Sequence, residues 1–301
     1  MIKHLMISLF IMLPLAIAGC GGGGSDSPTA MFDAARDAAV KNDPVLIWNT
    51  LPSKWQADAD GLVHEIGKKV PAQLYDKVMA TAGMAFNIMK TKEEFVWNTP
   101  MVKMQMSQMT PQELSNAKAA YDAIVTLGEA LTQSDLSTAA GLDRFAFKSF
   151  LTKYGSEIYV ALITAIRAAS AEDPGAQQAL LLSESVKNLM ATVVSTSGDS
   201  AVVSVTIPGL PDGALPSSMN MQKVEGKWVP AEMAMMFPTM MSAAHAEISN
   251  MDFSASSAEV MQVTMLLTMV DAVIGPLEKA TTQAEFDQAL AGIAAMMGGG
   301  R

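Results

Sequence analysis

The chain has 301 residues, a formal charge of −10, and half of its residues are hydrophobic, which is ample for a sizeable core. Thirty acidic residues against twenty basic ones argue against a nucleic-acid binder and against a basic patch gripping anionic lipid. The single cysteine rules out an internal disulfide, and with only three histidines beside it nucleophilic and metal chemistry have few candidates.

The first twenty residues, MIKHLMISLFIMLPLAIAGC, open with Lys3 and His4 and continue as an apolar run from Leu5 to Ala18. That run is short for a bilayer span, which needs about 20 apolar residues, and it suits the hydrophobic region of a secretory signal. It ends Ile17-Ala18-Gly19-Cys20, which resembles the lipobox of bacterial lipoproteins: an aliphatic residue, two small residues and a cysteine. The resemblance implies a signal peptide over 1–19 and a lipid (diacylglycerol, with palmitate-type acylation) on Cys20. Lipidation would also remove the one thiol that an oxidising compartment makes a liability. Residues 20–28 read as a Gly/Ser tether with a reach on the order of 15–18 Å. Gly21 stands where lipoproteins kept at the inner membrane often carry Asp, which points to the outer membrane of the cell envelope, on the periplasmic or the outward face. The mature chain would carry 19 basic and 30 acidic residues, a charge of −11.

The body, 29–301, is predicted as α+β and predominantly helical, with a possible subdivision into 29–175 and 176–301. Asn42-Asp43-Pro44 ends a first Ala-rich helix, because the residue before proline leaves the helical region. Helices follow over 53–70 and 71–90, the latter with Leu74, Val78, Ala82, Ala85 and Met89 along one stripe. Thr110-Pro111-Gln112-Glu113 is a capping box with proline at the first helical position. The helix it opens places Leu114, Ala117, Tyr121, Ile124, Gly128 and Leu131 on a packing seam. Two further helical stretches lie between Asp143 and Ala171, and another runs over 177–189.

The hydrophobic period then changes. Residues 191–196 and 201–207 are β-branched and flank Ser197-Gly198-Asp199-Ser200, a hairpin turn. Strands at 219–224 and 227–229 flank Glu225-Gly226, completing a three- to four-stranded antiparallel meander near 191–230. The order helix, strand, turn, strand, loop, strand, Glu-Gly-Lys-Trp, strand resembles the closing half of nuclear-transport-factor-like α+β cones over about 45 residues. Helices return over 231–249, 255–277 and 283–297. The run Val260–Leu277, interrupted by Gln262, Thr264, Thr268, Asp271, Gly275 and Pro276, reads as a buried central helix and not as a membrane span.

No catalytic constellation stands out. His64-Glu65 begins like a zinc-protease helix, but Lys68 stands where the second histidine belongs. His64 and His245 read as ordinary helix-surface residues. Gly61 to Lys68 fails the phosphate-loop spacing, Asp58 to Gly61 fails the calcium-loop spacing, and Ser115 with Lys118 lacks the companion motifs of penicillin-binding proteins. Trp48, Trp55, Trp97 and Trp228 read as packing residues before a ligand platform.

Methionine is the unusual component. Met101, Met104, Met106 and Met109 form one cluster, and Met233, Met235, Met236, Met240 and Met241 another. Core packing in place of Leu comes first, an adaptable apolar groove second, and copper(I) held by the thioethers of Met101, Met104, Met106 and Met109 third. No cofactor is expected. The function expected is non-enzymatic binding or structural work at the membrane, with a protein or apolar ligand as partner and no nucleic acid. A carboxylate-dependent hydrolase and a copper(I)-binding protein are the alternatives.

Overall fold

The computed structural model describes residues 27–171, 173–208, 217–254 and 257–298, with the side chains of all these but 259 and 293–298. The described residues fold mainly as α-helix with one four-stranded antiparallel sheet, the α+β class expected from the sequence. Two compact units share the chain: residues up to Ile66 with Phe145–Met251, and Gly67–Arg144 with Asp252 onward. The boundaries therefore fall at 66/67, 144/145 and 251/252, away from residue 175.

The first unit holds α1 (Ala30–Lys41), α2 (Val45–Trp48) and most of α3 (Ser53–Lys69). It continues with α9 (Phe147–Ala169), α10 (Pro174–Ser185), the strands, and α11 (Ala231–Asn250). Asn42 ends α1 in the left-handed conformation, φ +53°, one residue earlier in the chain than the Asp43-Pro44 stop that the sequence announces. The strands are β1 (Met190–Ser197), β2 (Ser200–Thr206), β3 (Ser218–Val224) and β4 (Lys227–Pro230). They form a meander in the order β1-β2-β3-β4. Gly198 at φ +58° opens the two-residue β1–β2 turn, where a left-handed first position matches the strand twist. Glu225 (φ +49°) and Gly226 (φ +79°) make the β3–β4 turn. Glu225 is an uncommon residue for that region, and its carboxylate has a second task. It accepts from Ser53 Oγ at 3.0 Å and Lys54 N at 2.9 Å, capping the start of α3.

The core of this unit is the face of β2 carrying Ala201, Val203 and Val205, joined by Met221 and Trp228 and closed by Phe32 and Ala35 of α1. Trp228 and Val229 project to opposite faces of β4, and both are buried, so β4 is covered on both sides. A second packing centre is aromatic. Trp48, Phe145, Phe147, Phe150 and Tyr154 form a chain of ring contacts at 4.9–5.6 Å, while Trp55 stacks on Phe237 of α11 at 4.3 Å.

The second unit is helical: α4 (Ala72–Thr91), α5 (Glu93–Asn98), α6 (Pro100–Met106), α7 (Pro111–Thr132), α8 (Ala139–Leu142), α12 (Ala258–Lys279) and α13 (Gln283–Gly298). The capping box at Thr110 forms as expected, hydroxyl and Glu113 carboxylate each accepting the other's backbone N–H. Helix α4 is the hub, packing against α7, α12, α8 and α5. Its approach to α7 depends on Gly128, where a Cβ would lie 2.2 Å from the Phe86 ring. Tyr121 donates its hydroxyl to the Met89 carbonyl. The expected α7 seam is only partly right. Gly128 is buried, but Ile124 is exposed, and Ala123, Val125 and Ala130 are buried instead, so the contact face is turned toward the small residues.

Candidate functional site

Helix α12 departs furthest from its expected role. Ser257 caps it by accepting from Val260 N. One stripe, with Val260, Leu267, Ile274 and Leu277, is buried, and Ile274 and Leu277 join Ile88 of α4 and Phe286 of α13 in a core cluster. Asp271 fixes the helix to α4. Its carboxylate takes Lys77 Nζ at 3.1 Å and the buried Thr81 hydroxyl at 3.0 Å, and these two hydrogen bonds hold its pKa below the usual carboxylate range.

The opposite stripe is open. Met261, Met265, Leu266, Met269 and Val270 are exposed, and no Asp, Glu, Lys or Arg occurs from Val260 to Val270. Among the described residues, Val260–Lys279 is the one helix long and apolar enough to cross a membrane, yet only 22% of its most apolar stretch is buried. This corrects two expectations: the segment has the composition of a span, and it is not a buried central helix. Its periodicity carries two apolar stripes, one packed on α4 and α13 and the other facing solvent. A contiguous exposed apolar face on a folded protein marks a place for an apolar partner. Methionine suits such a face because its unbranched, polarizable side chain adapts to varied shapes.

The two methionine clusters divide over the packing expectation. Met101, Met104 and Met109 are exposed and Met106 is half-buried on α6 and the turn after it. Helix α6 buries no residue. On α11, Met235 and Met236 are exposed, Met233 and Met240 are half-buried and Met241 is buried. Among the described residues no three His, Cys, Asp or Glu side chains gather as a metal site.

Polar chemistry in the first unit centres on α3. Glu65 accepts from His245 Nδ1 at 2.5 Å and from the Ser249 hydroxyl at 3.4 Å. His245 and Ser249 are one turn apart on α11, and Glu65 bridges them. This differs from a hydrolytic triad, in which the serine bonds the far nitrogen of the imidazole; here the carboxylate takes the serine itself. His64 Nε2 meets the Phe145 carbonyl at 2.7 Å. Both histidines are part-exposed helix-surface residues that tie α3 to other elements of their unit. Asp60 accepts from Phe147 N at 2.8 Å, supplying the cap that Ala146 cannot, and its burial raises its pKa. Asp76 accepts from Ala139 N at 2.7 Å at the start of α8, beside the cap that Thr138 gives to Gly141 N. Trp48, Trp55 and Trp228 are buried packing residues, whereas Trp97 donates to Glu93 and lies beside Tyr121.

Cys20 lies outside the described residues. Set against protein families, curated proteins and solved structures, the chain matches none. The α12 face was missed in the sequence because hydrophobic periodicity counts apolar residues without saying which stripe finds a neighbour. The signal that could have found it is the charge-free decade 260–270 in an otherwise acidic chain.

Proposed function

We propose that the chain is an exported lipoprotein, held at the membrane through a lipid on Cys20, whose body is a non-enzymatic binding module. Its binding surface is the outward face of α12, and the ligand is an apolar surface presented by an envelope protein or by lipid. The observation that carries this reading is the exposed row Met261, Met265, Leu266, Met269 and Val270 on a helix already anchored from behind by Asp271 and Ile274. The anchoring presents the row as a fixed surface. A short tether supports the same reading, since it holds the body within on the order of 20 Å of the bilayer and raises the local concentration of envelope partners. Glu65, His245 and Ser249 serve structure, joining α3 to α11.

Two experiments test the parts separately. Cys20→Ala should abolish acylation and leave precursor or released protein; unchanged mass and membrane partitioning would defeat the lipoprotein reading. A photo-crosslinking residue at position 265 should form adducts in intact envelopes, while one at Val40, an isolated exposed apolar position on the first unit, should not. Equal labelling at the two positions would defeat the binding reading.

A further inference from the structure

The two edges of the sheet are finished differently. Strand β4 is four residues long, ends at Pro230, carries Lys227 at its start and is buried on both faces. Short length, charge, proline and cover are the devices that stop a sheet edge from pairing with another chain. Strand β1 is eight residues long and has none of these four, its one interruption being a bulge at Val194. Seven of its eight residues are exposed and the eighth, Ala191, is half-buried. The strand consists of Met, Ala, Thr, Val and Ser, and no charged residue occurs from Asn188 to Gly198. It pairs with β2 alone, and among the described residues its outer edge makes no backbone hydrogen bond to another segment. The pairing skips Val194, a bulge that leaves this residue unpaired and 64% exposed.

We infer that β1 pairs antiparallel with β1 of a second copy of this chain, joining two four-stranded meanders into one continuous sheet. A two-fold interface must be self-complementary, since each residue meets a surface identical to its own. A charge at the centre would face its own copy, so a charge-free strand is the condition for self-pairing in a chain this acidic. With the two-fold axis between Val193 and Val194, Met190 of one copy stands opposite Ser197 of the other, and the valines meet at the centre. β-branched cross-strand pairs stabilise such a contact. Lys187 and Asp199 are the first charges beyond the two ends of the strand, so antiparallel self-pairing brings charges of opposite sign to each end. A charged peptide from another protein would find no complementary charge along β1.

The test uses the full chain purified in mild detergent, with protein mass measured by light scattering. The wild type should have the mass of two chains. V194K and V194E place like charges at the two-fold axis and should each give one chain, with an unchanged circular dichroism spectrum because the position is exposed and unpaired. Mixing the two variants should restore the mass of two chains. A wild type that stays a single chain at every concentration overturns the inference. So does a V194K that stays double, as association through lipid or detergent would give, or a mixture that stays single. If V194K alters the fold, T192K on the same exposed strand carries the same expectation.

Discussion

The first unit closes α1 over the apolar face of β2 and covers β4 on both sides, whereas the second leaves one stripe of α12 open. In the sheet unit, β2 alternates buried and exposed residues, α1 closes over it, and even the edge strand β4 is covered on both faces. The helical unit is held by a smaller cluster around Ile88, Ile274, Leu277 and Phe286, while an equally apolar stripe of the same α12 stands in solvent. Both units contain methionine-rich helices, so composition does not separate them. What separates them is whether a second element arrives to cover the stripe. An exposed apolar row in a unit that already has a core is surplus to folding, and that surplus is what makes it a candidate for binding.

The comparison breaks most visibly at Trp228. It is 5% exposed and central to the sheet unit's cluster, so Trp228→Ala should cost about 3–5 kcal/mol in urea unfolding. Among the described residues its indole N–H has no acceptor, so the loss comes from packing and from the Lys223 ammonium 5.8 Å from the ring centroid, with no hydrogen bond to lose. A change near zero would mean the sheet unit is no better packed than the helical one. Gly128→Ala probes the second unit. The added methyl must displace the Phe86 ring, and overpacking of this kind costs about 1–3 kcal/mol. A neutral result would show α4 and α7 free to separate.

Asp271→Asn should have a smaller effect, lowering the melting temperature at neutral pH by loosening α12 from α4. The sign with pH follows from the lowered pKa of Asp271. Stability from its ionised form is present above the unfolded value, near 3.9 for Asp, and is lost as pH falls through the lower folded value. The gap between wild type and variant should therefore close in acid; a gap independent of pH would separate the anchoring from the carboxylate charge. At the alkaline end, burial pushes the Tyr75 hydroxyl, which donates to the Leu136 carbonyl, up to about 12. Its contribution is complete below the unfolded value of about 10 and fades as pH rises through the folded one. Smallest of all is the double change of Met261 and Met269 to Gln in the chain that carries the photo-crosslinking residue at position 265. Exposed substitutions of this kind stay within about 0.5 kcal/mol each, so stability should hold while crosslinking at position 265 disappears. A large loss of stability would place these side chains in a core after all.

Much of this contrast was legible in the sequence where the controlling interaction is local. The capping box at Thr110, the stop at Asn42 and the turns at Gly198 and Gly226 each follow from neighbouring residues, and together they frame the helices and the meander in the right order. The long-range features were not legible. Glu225, Asp60 and Asp76 cap helices 63 to 172 residues away, and no local pattern pairs a carboxylate with a distant N–H. Ile124 has seam spacing but is exposed, because spacing alone does not say which side of a helix meets a neighbour. For the site the same rule holds. Cys20 is marked by its immediate neighbours, whereas the open face of α12 depends on which helices pack behind it. Two apolar stripes on one helix read as full burial until the neighbours are known.

Methionine oxidation tests the central claim most directly, because it reads cover at individual side chains. Met265 in the helical unit is 61% exposed and Met235 in the sheet unit 68%, a closely matched pair. With dilute peroxide, purified chain should oxidise the two at similar rates. In intact envelopes the account predicts that Met261, Met265 and Met269 are protected several-fold relative to Met235 and Met236, because an apolar partner covers the α12 face there. Equal oxidation of the two groups in envelopes would contradict it.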